Sequence, residues 1–504
     1  MTDEDAHDGD GADPAETADA ETVVRRDRFA GGPARGFLSS LAADERIFAA
    51  DLAVDRAHTV MLAEQDIIAD DEASEVLSGL AAVEDAGHAA LPEGEDVHEA
   101  IESAVVDHVG PVGGKMHTAR SRNDEVAACI RYRYREDLLD AAEATLALRE
   151  ALLETAADHA DTVMPGFTHR QYAQPTTVGH FLSSYAGAVE RDTERLLAAV
   201  ERTNVSPLGG AAFAGTTFDV DRERTAELLG FDGVVENSTD AASARDFLVE
   251  GTAALANLTA TLSGLSADLI EHAKDGYFDP SDDYASTSSI MPQKVNPDTL
   301  ELARAVAGDV SGDLTGLLTT LKGLPRAYNR DLQRATPHAW DAVDDATEAT
   351  EVVAGAVATG DWNADACAAD AGAGFSTATG VADALASAGI PFRTAHEVVA
   401  AAAAAAPDDA DAETLAANLD SATQEVLGES LYEYVSSAAL DSALDPAGSV
   451  ASRGSRGGPA PDAVAESVAR MTETYDDHTA ALDTRRDGLA AAEVALADAV
   501  DTYV

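Results

Sequence analysis

The sequence predicts an all-α fold built on a bundle of long helices. Apolar residues recur at helical spacing over several long stretches, whereas the alternation that is typical of strands is scarce. The predicted helices are rich in alanine, and such small-residue surfaces favour a bundle that packs against other copies of itself. At 504 residues, the chain is long enough to bury a substantial core in more than one domain.

The predicted domains follow from changes in composition along the chain. Residues 1–22 contain nine acidic residues and no lysine or arginine, so we predict a disordered acidic tail. A mostly helical N-terminal domain is predicted for residues 23–121, and the central long-helix bundle for residues 122–369. A small helical C-terminal domain is predicted for residues 370–504, which glycine and proline interrupt more often.

Three rows of apolar residues predict the long helices of the central domain. The rows are Leu138, Leu139, Ala142, Leu146 and Leu153; Val178, Leu182, Tyr185, Val189, Leu196 and Val200; and Leu302, Val306, Val310, Leu314, Leu317 and Leu321. We expect Thr176 or Thr177 to cap the second helix. We expect Asn296 to cap the third helix, with Pro297 as its first residue.

The charge of the chain excludes two classes of partner. Aspartate and glutamate total 92 against 33 lysines and arginines, which gives a formal net charge of −59. Such a surface repels nucleic acid and anionic lipid, so we expect neither as a partner. The composition is typical of a cytoplasmic protein of a halophile, because in molar salt the Debye length falls to about 3 Å and like charges are screened.

Other features also predict a soluble cytoplasmic protein without a metal or cofactor. Cys129 and Cys367 are too few for a disulfide framework and lack metal-ligand spacing. We find no secretory signal, and the longest apolar stretch, residues 398–406, is too short to cross a bilayer. The glycine-rich stretch 204–215 lacks the spacing of a nucleotide-binding loop.

Several stretches rich in glycine, proline and polar residues interrupt the helices, and chemistry is expected there. They are residues 110–124, 164–176, 204–219, 232–246 and 279–297. In the first stretch, the arginines between Gly113 and Asp124 could bind carboxylates. By itself, however, this sequence favours a turn whose arginines pair with the abundant surface acids.

Two further loops contain residues suited to proton transfer and charge stabilisation. In residues 286–298, hydroxyls precede Lys294 and a predicted helix start, both of which stabilise developing negative charge. The alternative there is a serine-rich mobile loop. In residues 166–175, His169 could act as a general acid or proton carrier, although a lone histidine is more often structural.

Together these loops resemble the argininosuccinate lyase and δ-crystallin family of the fumarase and aspartase superfamily. Residues 288–297 resemble the superfamily's mobile signature loop, G-S-S-x-M-P-x-K-x-N-P, and residues 113–124 resemble the family's G-G-K-x-H-T-G-R-S-R-N-D. Shorter matches lie at residues 95–98, 237–247, 328–333 and 389–396. The similarity extends from about residue 28 to residue 458.

The resemblance implies a fold, an assembly and a reaction. The fold has three domains, and the central helices of four subunits form a 20-helix tetramer core. Each active site is shared between subunits. The reaction is the reversible anti elimination of argininosuccinate to arginine and fumarate, a step of arginine biosynthesis, in which negative charge accumulates on a carboxylate before the carbon–nitrogen bond breaks.

The resemblance also implies roles for individual residues. Ser288 matches the catalytic base, Lys294 matches the lysine that stabilises the developing aci-carboxylate, and Asn296 matches the substrate-binding asparagine beside that lysine. His169 matches the acid or proton relay, which Glu301 of another subunit orients. The remaining matches are substrate contacts: Ser40, Ser121, Arg122, Asn123, Thr168, Tyr328 and Gln333.

The sequence departs from the family pattern at four positions. Thr287 and Ala119 replace glycines, and Val295 replaces a lysine, as in fumarase-type loops. Thr336 replaces a lysine that contributes a substrate-binding charge, and the nearby cations that could supply that charge are Arg330, Arg334 and His338.

Two other functions stay open at this point. One is another fumarate-releasing lyase of the fumarase, aspartase or adenylosuccinate lyase type. The other is a non-catalytic, crystallin-like structural protein, which the presence of all four expected catalytic residues disfavours.

Overall fold

A computed structural model describes residues 33–407 and 410–504 of the chain. The predicted acidic tail, residues 1–22, lies outside the described residues. The α-helices of the described part are α1 Pro33–Leu38, α2 Phe48–Glu64, α3 Asp70–Ala86, α4 Val97–Val109, α5 Arg122–Asp158, α6 Val178–Thr203, α7 Arg222–Leu228, α8 Ser238–Ser243, α9 Asp246–Asp275, α10 Asp298–Leu321, α11 Leu332–Thr359, α12 Ala364–Asp370, α13 Ala378–Ser387, α14 Phe392–Ala405, α15 Ala412–Leu427, α16 Ser437–Leu444, α17 Pro446–Ala451 and α18 Pro461–Asp501.

The described strands form three small antiparallel pairs. They are β1 Val163–Thr168 with β2 Gln171–Thr177, β3 Phe278–Asp279 with β6 Asp361–Trp362, and β4 Ser286–Thr287 with β5 Val295–Asn296. The all-α prediction is therefore confirmed. The stretch 164–176, which we expected to be an irregular loop, is instead a β-hairpin.

Five long helices, α5, α6, α9, α10 and α11, pack side by side, and α18 lies against α5 and α6. Their core consists of leucine, valine and alanine side chains. All five residues of the first predicted row are buried in α5. The third row is only partly buried, because Leu302 of α10 is 69% exposed while Val310 and Leu317 are buried.

Local capping explains where the helices that support the site begin. Ser121 and Asp124 form a capping box at the start of α5. The Thr177 Oγ1 atom accepts a hydrogen bond from the His180 N–H at 3.0 Å, so the cap predicted for α6 is confirmed. The predicted start of α10 is wrong, because the helix begins at Asp298 and Asn296 pairs with Ser286 in the hairpin before it.

Smaller layers flank the bundle. Helices α2, α3 and α4 pack on one another, and their core continues into α5 and the end of α18. Helices α13 to α16 form a separate cluster with its own core. Helix α9 has the length and apolar composition of a membrane span, a test that core helices of soluble proteins also pass, and its apolar side chains belong to the bundle core.

Candidate active site

A cavity of about 410 Å³ lies where the N-terminal ends of α4, α5 and α11 meet. Five of the predicted substrate contacts line it: Ser40, Arg122, Asn123, Tyr328 and Gln333. Because the N-terminal end of a helix carries partial positive charge, three converging ends favour an anionic ligand group. Ser121, another predicted contact, caps α5 immediately before Arg122.

The arginines of the predicted anion-binding loop have separate tasks. Arg120 is buried and forms ion pairs with Asp55 at 2.5 Å and Glu125 at 2.9 Å. Arg122 lines the cavity, with its Nη1 atom 3.4 Å from Asp96 Oδ2 and 3.8 Å from Glu99 Oε2. Both arginines therefore pair with acids, as the alternative interpretation of the loop predicts, but only Arg122 of the two also lines the cavity.

Acidic side chains line the same cavity and suit a cationic ligand group. Asp44, Glu95 and Asp96 all lie in its wall. Asp44 accepts hydrogen bonds from Ser40 Oγ at 2.7 Å and from the Val97 N–H at 3.2 Å. The cavity thus offers both carboxylates and guanidinium groups, which is the arrangement that a zwitterionic ligand requires.

His98 connects this cavity to a buried network of charges. Its Nδ1–H donates to Asp51 Oδ2 at 2.8 Å, and Asp51 Oδ1 accepts from Cys129 Sγ at 3.3 Å. Although burial opposes it, the charges of Asp51 and Glu125 raise the pKa of His98 to about 10, so the ring is an imidazolium at neutral pH. Burial raises the pKa of Asp55, deeper in the network, to about 7.

The acids of this network come close enough to share a cation. Oxygen atoms of Asp51, Asp55 and Glu125 lie within 4.8 Å of one another. Arg120 and His98 already supply positive charge to these carboxylates. The positive charges of Arg120 and His98 therefore balance these carboxylates from within the protein.

The predicted base, Ser288, lies on the exposed hairpin of β4 and β5. Its Oγ atom accepts hydrogen bonds from the backbone N–H groups of Met291 at 3.0 Å and Ile290 at 3.3 Å. Two such donors would stabilise the alkoxide form of a serine, which the hydroxyl must reach to act as a base. The Lys294 ammonium donates to Asn296 Oδ1, which holds these two predicted residues together.

The two glycine replacements have different consequences for the backbone. Ala119 has a φ of 64°, in the left-handed region that favours glycine, so its side chain strains the turn before Arg120. Thr287 pairs with Val295 in the β4–β5 hairpin and is not among the described residues with positive φ. The threonine therefore causes no such strain there.

His169 lies at the tip of the β1–β2 hairpin. Together with Arg170 it forms the two-residue turn, with φ of 54° and 60° respectively, as a type I′ turn requires. Thr168 lines a second cavity of about 570 Å³ between the hairpin and the end of α9. Glu301 is exposed in the first turn of α10.

Within the described part of the chain, the predicted residues other than Ser121, which caps α5 next to Arg122, fall into two groups. The first group lines the cavity described above. The second group lies on the two hairpins and the start of α10, and none of its members lines that cavity: Thr168, His169, Ser288, Lys294, Asn296 and Glu301. In one chain, the cavity therefore holds five predicted substrate contacts, and all four predicted catalytic residues lie outside it.

Comparison with known proteins identifies the family. Residues 36–312 match the family model described as "Lyase", and residues 375–451 match "Argininosuccinate lyase C-terminal". The chain is 64% identical over 479 residues to the argininosuccinate lyase of Natronomonas pharaonis, covering 94% of this chain and 96% of that protein. The chain belongs to the argininosuccinate lyase family. The corresponding protein of Haloarcula marismortui is 62% identical over 493 residues, covering 97% and 99%.

A solved structure of the same superfamily agrees with the fold. The crystal structure of EDDS lyase in complex with formate has a TM-score of 0.84 and 34% sequence identity, covering 94% of this chain and 96% of that one. Its helical architecture matches the bundle described above. The name EDDS lyase indicates that a protein of similar fold acts on another compound.

The position of the missing family lysine lies in the cavity wall. Thr336 lines the cavity, as does Arg330, whose guanidinium forms an ion pair with Glu95. His338 lies 2.9 Å from Asp313 and, like Arg334, is not among the residues that line the cavity. Of the three cations considered from the sequence, only Arg330 therefore reaches this site.

Sequence analysis gave no role to several residues in the cavity wall. They are Asp44, Glu95, Asp96, His98, Arg245 and Trp340. Glu95, Asp96, His98 and Arg245 belong to segments whose resemblance to the family was recognised, at residues 95–98 and 237–247. That resemblance could have drawn attention to them, but only the fold places the two segments against the same cavity.

Proposed function

We propose that the chain is a carbon–nitrogen lyase that cleaves argininosuccinate to arginine and fumarate in arginine biosynthesis. The main support is 62–64% identity, over nearly the full length, with curated argininosuccinate lyases. The cavity supports the same substrate, because argininosuccinate carries carboxylates, an ammonium and a guanidinium group, and the cavity wall provides partners of both signs.

In the proposed first step, the Ser288 alkoxide removes a proton from the carbon beside a substrate carboxylate. The electron pair of the broken C–H bond moves into that carboxylate and forms an aci-carboxylate. Lys294 and the N-terminal end of α10 would stabilise the added negative charge, with Asn296 beside the lysine. The two backbone N–H groups at Ser288 Oγ favour the alkoxide that the step requires.

In the proposed second step, the electron pair returns and the C–N bond breaks, which forms the double bond of fumarate. The leaving guanidino nitrogen takes a proton from His169 or from a water molecule that it relays, so charge is balanced. Glu301 would orient the histidine and raise its proton affinity. Arg122, with Ser121, Asn123 and Thr168, would hold the carboxylates of the succinate half.

We further propose that four chains form the active enzyme. In a single chain, Ser288, His169 and Glu301 lie outside the cavity that holds the predicted substrate contacts. Helix α10 also exposes apolar side chains, including Leu302 at 69% and Leu318 at 48%. Packing of this face against other subunits would bury it and bring the hairpins of one chain to the cavity of another.

A salt-rich cytoplasm is the proposed setting. The net charge of −59 supports it, and two of the relatives come from Haloarcula marismortui and Halobacterium salinarum. At high ionic strength the repulsion among surface carboxylates is screened within a few ångströms. The chain would then stay soluble while its subunits associate.

The function is tested by a substrate panel in molar potassium chloride. We expect ultraviolet absorbance from fumarate to rise when argininosuccinate is added. The alternative substrates in the panel are malate, aspartate and adenylosuccinate. The substrate of EDDS lyase is also tested, because that structural neighbour is 34% identical to this chain. Turnover of one of these in place of argininosuccinate would reject the proposal, and absence of any turnover would favour a crystallin-like role.

A further inference from the structure

Three arginines line the cavity, and they differ in what balances their charge. Arg122 has Asp96 within 3.4 Å, and Arg330 forms an ion pair with Glu95. Arg245 is 3% exposed, and its Nη1 atom donates to the Ala244 carbonyl oxygen at 2.8 Å. Its Nε and Nη2 atoms are buried and have no hydrogen-bond partner among the residues that the structure describes.

The surroundings of Arg245 do not offset its charge. Burial, and then repulsion from Arg131, lower the pKa of Arg245 to about 10. Arg131 is itself buried and donates to the carbonyl oxygens of residues 202 and 203. Leaving a buried guanidinium without an anionic partner is costly. The missing partner is therefore best supplied by a ligand.

The cavity wall indicates which ligand group this is. Tyr328 lines the same cavity as Arg245, Asp44 and Asp96, so these four side chains border one volume. Burial raises the pKa of Tyr328, which keeps its hydroxyl as a hydrogen-bond donor at neutral pH. A cation, a hydroxyl donor and two carboxylates together fit an amino-acid end, with its carboxylate and its ammonium.

We propose that Arg245 binds the α-carboxylate of the arginine half of the substrate. The inference rests on the proposed function, which supplies that half. It also bears on Thr336, because Arg245 lines the same cavity and provides a positive charge there that Thr336 lacks. Asp44 and Asp96 bind the neighbouring ammonium group.

The test compares arginine with agmatine, which has the same guanidinium and amine but lacks the carboxylate. Titration calorimetry in molar potassium chloride gives Kd for both compounds with the wild-type enzyme. We expect arginine to bind about 30-fold more tightly, the size typical of a desolvated charge pair. In Arg245→Gln the two compounds should bind within about threefold of each other, while the KM for fumarate in the reverse reaction stays unchanged.

Arg330→Gln is the matched control, because it removes a paired arginine from the same cavity. It should retain the preference for arginine. Loss of that preference in Arg330→Gln but not in Arg245→Gln would overturn the assignment. If Arg245→Gln does not assemble, Arg245→Lys keeps a charge at the position and should retain part of the preference.

The wild-type measurement is decisive even if every variant fails to fold. Equal affinity for arginine and agmatine would refute the role of Arg245 while fumarate release from argininosuccinate stood unaffected. Failure of the wild-type enzyme to release fumarate would instead reject the proposed function. The two failures are therefore distinguishable.

Discussion

At the scale of single residues, Ser288 is the residue whose replacement tests the chemistry most directly. Its Oγ atom accepts two backbone hydrogen bonds, which favour the alkoxide. We predict that Ser288→Ala lowers kcat at least about 10³-fold, because general bases contribute about 10²–10⁴. Fumarate absorbance measures turnover, and arginine calorimetry checks that the binding cavity is intact. Ser289→Ala, on the same loop, is the control and should keep its activity. If Ser288→Ala retains a tenth of the wild-type activity, Ser288 is not the base.

The charge on His98 makes the stability of the protein depend on pH. Its pKa is raised from 6.5 to about 10, so the folded protein keeps a proton that the unfolded chain loses above pH 6.5. The free energy of unfolding should therefore fall as pH rises from about 6.5 to 10, where this contribution is lost. The carboxylates of Asp51, Glu125 and Asp96 raise the pKa of His98 and so set this pH range. The raised pKa of Asp55 adds a separate fall in stability as pH rises from about 4 to 7.

Thermal unfolding at constant molar salt measures this dependence. In His98→Gln the slope between pH 6.5 and 10 should become shallower. The variant should also lose about 3 kcal/mol at pH 7, because Asp51 is left buried without its partner. An unchanged slope in the variant would show that other groups cause the pH dependence.

The sequence predicted five of the residues in the cavity wall but not Arg245. The five lie in motifs that a resemblance can match residue by residue. Arg245 stands out because two of its nitrogen atoms have no hydrogen-bond partner among the described residues, and that depends on how α5, α9 and α11 pack. Ala119 is the opposite case, because it stands at a glycine position of the motif and its φ of 64° lies in the region that favours glycine.

At the scale of elements, local rules predicted the helices better than the hairpins. The Thr177 cap and the buried face of α5 follow from sequence alone. The β1–β2 hairpin was missed because Pro165, Gly166 and Pro175 interrupt any strand-like pattern. A side chain at Gly166 would lie 2.4 Å from the Gln174 carbonyl oxygen, so the glycine is required by the partner strand and not by its neighbours in sequence.

Two glycines of α9 provide a matched prediction about the bundle. A methyl group at Gly251 would lie 2.5 Å from Tyr134 Oη and 2.7 Å from its Cε1, whereas the nearest atom at Gly264 is 3.6 Å away. Gly251→Ala should therefore destabilise the protein by about 1–3 kcal/mol through overpacking. Gly264→Ala should stabilise it by up to about 1 kcal/mol through helix propensity. Denaturant titration in molar salt measures both, and equal effects would contradict the packing of Tyr134 against α9.

At the scale of the whole molecule, the predicted catalytic residues lie outside the cavity that holds most of the predicted substrate contacts. The Ser288 hairpin exposes Ile290 at 83%, and α10 exposes Leu302 at 69%. Apolar side chains in such positions are costly in water unless another surface covers them. Association of subunits would thus serve stability and catalysis together, because the same contact buries α10 and completes the proposed site.

The net charge of −59 would make the proposed association dependent on salt. The Debye length is about 3 Å at 1 M ionic strength and about 30 Å at 0.01 M, so on dilution the carboxylates of one subunit repel those of the next. We predict that lowering potassium chloride from 2 M to about 0.05 M dissociates the assembly and abolishes fumarate release, with light scattering and activity falling together. Sucrose at matched osmolality should not restore either, since it does not screen charge. Full activity of an intact assembly in dilute buffer would mean that the interfaces avoid the acidic surface, and the repulsion argument would then fail.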